Sequence, residues 1–315
     1  MYSILVTTAL LLASAVNAHG GVTTYTIDGQ VFKGYQTMAK GASDTGPDRL
    51  KTKPPGGATI QHEWKQLHPI REMDSKLLAC NSPGTPGKIA APVKAGGTVK
   101  AQWSQWPHNS GPVLVYMADC GAKECSSVQP SSLEWFKIYG SGLVSGTSAK
   151  GKWAAGEMVK NSNSLSVEIP LVKPGNYLIR HETINLAQSN PEFYMECAAL
   201  KVTGSGTLVP PASVKVKFPG GYSKEKGTTT LLFISMCSDT LILSFPDPQL
   251  FRTSAGAMKD TPNWAVPGPP VWPGSAAGVA ETSKEKAAPQ IGKGKSLFFD
   301  ESEFVDITWP APEDN

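Results

Sequence analysis

The sequence predicts an all-β protein, an antiparallel immunoglobulin-like or fibronectin-like β-sandwich with long loops. Short β-prone stretches recur along the chain, apolar and polar residues alternating within them, and turn residues separate them. Glycine (31) and proline (26) are abundant in the 315 residues, about 18% against the roughly 12% of average usage. Charged residues make up 17%, below the roughly 25% usual for soluble domains, which suits a turn-rich chain and not a helical bundle. A net charge of only +3, without a long Lys/Arg run, excludes nucleic acid as the main partner.

Residues Ile4 to Val16 form an apolar run too short to span a bilayer, and Val16-Asn17-Ala18 places small residues where a signal peptidase cuts. Residues 1–18 are therefore expected to be a signal peptide, His19 the first residue of a secreted, extracellular chain. No later segment reaches the roughly 18 uncharged apolar residues of a membrane helix, so no membrane partner is expected. Val22 to Phe32 reads as a hairpin around Asp28-Gly29. Further strands are expected at Gly97 to Trp103, Pro112 to Met117, Ser164 to Ile169, Tyr177 to Glu182 and Ala198 to Val202, with turns such as Ser82 to Gly87 and Lys173 to Asn176 between them. Residues 40–75 are long and weakly periodic, which in a compact domain marks a functional loop. The expected organisation is a β-sandwich over 19–275 and a flexible polar tail over 276–315.

A mature chain that begins with histidine offers a rare chelate, the free α-amine and the Nδ1 of His19 on one metal ion. The low pKa of an α-amine, about 7.7–8.0, makes its deprotonation inexpensive near neutral pH. One more imidazole gives three nitrogens, a set that favours copper by ligand type and affinity order. The candidates are His62, His68, His108 and His181. His108 stands out because it lies in a rigid turn, Trp103 to Pro112, between two strand-like runs.

Taken together, several segments resemble the fungal lytic polysaccharide monooxygenases of auxiliary activity family 9. They are His19-Gly20 with the hairpin, Leu78-Ala79-Cys80-Asn81, Trp106 to Cys120 (WPHNSGPVLVYMADC), Trp135 to Ile138, Pro174 to Glu182 (PGNYLIRHE), Glu192 to Cys197, Phe218 to Tyr222 and Val266 to Trp272. The resemblance implies one copper ion per chain, held by His19 and His108 with Tyr194 axial. It gives Glu192 and Tyr194 the catalytic roles, Glu192 hydrogen-bonding a copper-bound oxygen species. Most of the family has its second histidine where Asn109 stands; a subset reads WPHN followed by Ser or Thr, as here. The resemblance also implies disulfides Cys80–Cys197 and Cys120–Cys125.

The implied activity is oxidative cleavage of β-1,4-glucan at C1 or C4, or both, the partner being crystalline or amorphous cellulose or another β-glucan. The co-substrate is O2 or H2O2, and electrons come from an external donor, a small reductant or a secreted dehydrogenase. The protein is expected to be a monomer. Tyr25, Tyr35 and Tyr222 are the candidates for stacking on sugar. One departure matters: where the family places a second histidine at the oxygen site, this chain has Ala187. Losing an acid-base group commonly lowers rate by roughly 10²–10⁴, so the alternative reading is a copper-binding relative with weak or no oxygenase activity. His181 is read as a structural strand histidine. Cys237 is left over, within an apolar β-prone stretch at about 227–245, where family-like sequence lapses. That stretch is read as a mis-spliced or retained-intron segment, its rival a genuine extra strand pair with a free thiol.

Overall fold

The structure, a computed structural model, describes residues 20–37, 52–65, 67–187, 190–222, 230–236, 239–245 and 264–276. The signal peptide, His19, residues 40–51 and 66 of the 40–75 loop, Cys237 and the tail beyond 276 lie outside them. The strands in chain order begin with β1 (Val22–Ile27), β2 (Gln30–Lys33), β3 (Gln36–Thr37), β4 (Thr52–Lys53), β5 (Ala91–Lys94) and β6 (Thr98–Trp103). They continue with β7 (Val113–Asp119), β8 (Trp135–Ser141), β9 (Leu143–Ser145) and β10 (Lys152–Trp153), and a seven-residue helix, α1 (Ala154–Lys160), follows. The rest are β11 (Ser164–Glu168), β12 (Gly175–Asn185), β13 (Glu192–Thr203), β14 (Lys215–Val216), β15 (Thr230–Met236) and β16 (Asp239–Phe245).

Two sheets make the sandwich. The smaller runs in the order β11-β6-β1-β2 and the larger in the order β14-β8-β7-β12-β13-β5. Pairing is antiparallel except for β5 on β13, which is parallel. The β1–β2 turn forms at Asp28-Gly29, with φ of 44° and 84°. The carboxylate of Asp28 accepts from the Thr98 amide at 2.9 Å and the Lys94 amide at 3.1 Å, pinning the hairpin to β6.

The larger sheet is covered on both faces, and this explains which strands the sequence pattern missed. Its inner face packs on the smaller sheet through residues such as Val115, Met117, Phe136 and Ile179. Its outer face lies under the long loops, where Leu78, Tyr116, Trp135, Phe193, Phe218 and Tyr222 form a second core. A strand buried on both sides loses its period-two signature. Consequently β8, with Trp135 and Phe136 buried on opposite faces, escapes an alternation test, and β12 runs beyond the expected Tyr177–Glu182 stretch at both ends.

Arg180 anchors the loop layer. It is fully buried and donates to the carbonyls of Ala79 and Leu78, both at 2.9 Å, and to both oxygens of Glu182 at 2.7 and 2.8 Å. Its guanidinium stacks 4.1 Å above the Phe218 ring. The disulfide Cys80–Cys197 ties the same loop to β13, and Cys120–Cys125 closes a short turn after β7. A cross-link enclosing 117 residues stabilises on the order of 4 kcal/mol by the chain-entropy account. The segment Val266 to Trp272 returns to β8, where Lys137 donates to the Pro267 carbonyl at 2.6 Å and Trp272 to the Lys137 carbonyl at 2.8 Å. Strands β15 and β16 pair with each other as an antiparallel hairpin.

Two expectations fail here. Tyr25 is 0% exposed because strand alternation turns its ring into the sandwich, and Gln61 donates to its hydroxyl at 3.4 Å. Tyr222 is 7% exposed and donates to Glu182 beneath the loops. Neither ring faces solvent, so neither stacks on a sugar as placed. Tyr35 keeps part of its surface open.

Candidate metal centre

The site forms where the β6–β7 loop meets the open end of the β12–β13 hairpin. Trp106 is 3% exposed and serves as the loop's anchor. Its ring meets Tyr194 edge-on at 4.9 Å and His108 edge-on at 5.3 Å, and the His108 and Tyr194 rings lie 5.8 Å apart. His108 is thus turned toward the tyrosine and Asn109 toward solvent. The loop is held to β12 by Leu186 donating to the Ser110 carbonyl at 3.1 Å and Ile184 to the Pro112 carbonyl at 3.2 Å. At Gly111 (φ 140°) a Cβ would stand 1.8 Å from the Ile184 carbonyl oxygen, so only glycine permits this approach.

Gly20, the residue after His19, is pressed against the same loop. A Cβ there would meet the Gln105 carbonyl and the Ser104 hydroxyl at 2.7 Å and the Trp106 ring at 3.4 Å. One residue later, Ser104 donates to the Gly21 carbonyl at 2.9 Å. Gly20 therefore has no room for a side chain against this loop.

Glu192 and Tyr194 project from the same face of β13. Tyr194 donates to Glu192 Oε2 at 3.1 Å and Asn185 donates to the same oxygen at 2.7 Å. Arg71 pairs with the other carboxylate oxygen. Burial pushes the Glu192 carboxyl upward, but the bonds from Asn185, Arg71 and Tyr194 outweigh it and leave the group below the usual carboxylate range. Burial first, then the neighbouring Glu192 charge, raise the Tyr194 phenol well above its ordinary value. The pair is an ionised carboxylate beside a protonated phenol.

Arg71 and Asn185 were not among the candidates. Ile70 and Phe193 exchange both backbone hydrogen bonds at 2.9 Å, which sets Arg71 beside Glu192, and no sequence spacing shows that bridge. The one available signal was that Arg71 falls in the 40–75 loop. Ala187 is exposed just past the end of β12, its amide donating to Asn185 Oδ1 at 2.9 Å. Of the other histidines, His62 is buried with Nδ1 3.2 Å from the Gly84 carbonyl, His68 is exposed, and His181 is enclosed within the sandwich.

The family model of auxiliary activity family 9 (formerly GH61) matches residues 19–238. The chain belongs to auxiliary activity family 9. Its relatives within the family include lytic polysaccharide monooxygenase B of Heterobasidion irregulare, 39% identical over 84% of this chain and 96% of that protein. Monooxygenase D of Thermothelomyces thermophilus is 37% identical over 78% and 94%. The crystal structure of HiLPMO9B superposes with a TM-score of 0.65 at 38% identity, over 81% of this chain and 99% of the other. A cellulose-active polysaccharide monooxygenase from M. thermophila gives 0.61 at 33% identity, over 81% and 99%. As a family 9 member the chain is a polysaccharide monooxygenase, an oxidoreductase of the lytic class.

Proposed function

We propose that this family 9 protein is a secreted, copper-dependent monooxygenase that cleaves β-1,4-glucan chains, cellulose foremost. One observation carries the reading: His108 and Tyr194 lie side by side against Trp106, which also packs on Gly20, the neighbour of His19. The donors suit copper, since an imidazole flanked by a phenol, with the amine and imidazole of a terminal His19 one peptide from the same loop, is a nitrogen-rich set with a weak oxygen partner. His19 and His108 would hold the ion with the Tyr194 phenol beside it; the family match beginning at residue 19 supports processing at that point. When bound, copper supplies one-electron chemistry with an external donor and O2 or H2O2.

The chain's own groups do the rest. Glu192, kept ionised by its three donors, accepts a hydrogen bond beside the metal position, and Arg71 and Asn185 fix its orientation. Tyr194 keeps its proton and its ring position, wedged between Trp106 and His108. Arg71, with half its side chain exposed, is a donor at the open edge. The unit that performs this spans 19–275, with the stretch at about 227–245 read as a gene-model artefact or, failing that, an insertion, and 276–315 as a tail.

The second reading, copper binding with weak or no turnover, rests on Ala187, whose methyl group brings no proton donor to the rim. Anaerobic Cu(II) titration of the mature chain, followed by product analysis on cellulose with ascorbate, separates the two. The first predicts tight one-to-one binding and oxidised oligosaccharides. Binding without products sinks the enzyme reading, and absence of binding sinks both.

A further inference from the structure

The same inner-face row that carries the site continues into the sandwich. Across β12 and β13 the register pairs Asn185 with Glu192, Thr183 with Tyr194, and His181 with Glu196, so all six side chains share one face. The last pair sits behind Tyr194, where solvent does not reach: His181 and Thr183 are 0% exposed and Glu196 is 1% exposed. Yet both ring nitrogens of His181, the Thr183 hydroxyl and the indole Nε1 of Trp103 lack a hydrogen-bond partner, and beside them the Glu196 carboxyl faces the backbone amide of Val22. These groups belong to one neighbourhood. The His181 ring lies 5.7 Å from Tyr25 and 5.8 Å from Trp103, and the Glu196 charge acts on the Tyr25 phenol.

Buried polar groups that lack protein partners are as a rule satisfied by bound water, each internal molecule making about three hydrogen bonds. We infer that the sandwich interior behind Tyr194 is a binding site for a small cluster of internal water molecules, held by His181, Thr183, Glu196 and Trp103. The group mixture fits that ligand. An indole donates, a hydroxyl does both, a carboxyl that burial raises to about 8 both donates and accepts, and an imidazole offers one nitrogen of each kind. The opposite wall of the site is the amino-terminal arm: a Cβ on Gly21 would lie 2.4 Å from Glu196 Oε1 and 2.8 Å from the Trp64 ring. The water cluster thus backs the backbone two residues past His19, beside the Val22 amide that faces the Glu196 carboxyl.

The inference is independent of metal binding, and the test uses the full mature chain with and without copper. A crystal structure at atomic resolution is expected to show at least one ordered water bonded to two or more of His181, Thr183 and Glu196. Oxygen-17 relaxation dispersion of the solvent counts long-lived internal waters. The near-isosteric Thr183→Val and the bulkier Glu196→Leu are each expected to lower that count by at least one. A direct His181–Glu196 hydrogen bond with no water between the side chains, or a count unchanged in Thr183→Val, overturns it. Should Glu196→Leu fail to fold, the wild-type crystal structure and Thr183→Val still decide.

Discussion

Replacing Gly111 by alanine tests whether close contact between the loop and β12 sets the site. The new Cβ would arrive 1.8 Å from the Ile184 carbonyl oxygen at a φ of 140°, so the loop has to lift from β12. Two costs add: about 1–3 kcal/mol for holding a side chain in that backbone region, and about 1 kcal/mol for each of the two hydrogen bonds from Leu186 and Ile184. The expected loss is about 4 kcal/mol, which at 2–4 °C per kcal/mol for a domain of this size lowers Tm by roughly 10 °C. Lifting the loop also swings His108 away from Tyr194, so Cu(II) affinity is expected to fall at least tenfold. Calorimetry of the copper-free protein and Cu(II) titration measure the two effects separately. A Tm within about 2 °C of wild type, with affinity unchanged, would refute the argument.

Arg180→Met leaves Glu182 buried without its cation and frees the Leu78 and Ala79 carbonyls; breaking such a pair costs about 3–5 kcal/mol, seen as a lower urea midpoint with the slope unchanged. Burial lowers His62 to about 4 and His181 to about 3 from 6.5. Unfolding lets both take up protons, so their contribution to the stability of the copper-free chain should decline as pH falls from about 6.5 toward 4 and 3, while Glu196, raised by burial to about 8, contributes in the opposite sense as pH falls from 8 toward 4.5. His181→Phe should flatten that slope in urea titrations at stepped pH, and a slope equal to wild type counts against the His181 assignment. Ala187→His is expected to raise the rate of oxidised-product release roughly tenfold, and an unchanged rate rejects the missing-donor explanation. Sequencing the spliced transcript is expected to show the codons for about 227–245 removed; a message continuous through Cys237 establishes the β15–β16 hairpin as native.

The fold class was readable because strands such as β1 and β6 face one core and alternate. Strands β8, β12 and β13 were harder, since burial on both faces replaces alternation by continuous apolarity. Within the site, Glu192 and Tyr194 carry a local signature, two positions apart on one strand before a cysteine. Arg71 does not: it reaches Glu192 from 121 residues away through a backbone bridge that leaves no mark on spacing. Tyr25 and Tyr222 show the reverse error. An aromatic looks equally suited to a sugar face or a core, and only the side to which its strand or loop turns it decides.

The site's acidic and phenolic groups grow from the rim of the hairpin that is sheathed on both sides. Amides in such a hairpin are expected to exchange with solvent only when the whole molecule opens. The lifetime of the reactive edge is therefore tied to global unfolding instead of local fraying. Under the proposed oxidative function, durability during turnover should then be improved by slowing the opening of the entire sandwich, even through substitutions remote from His108 and Tyr194.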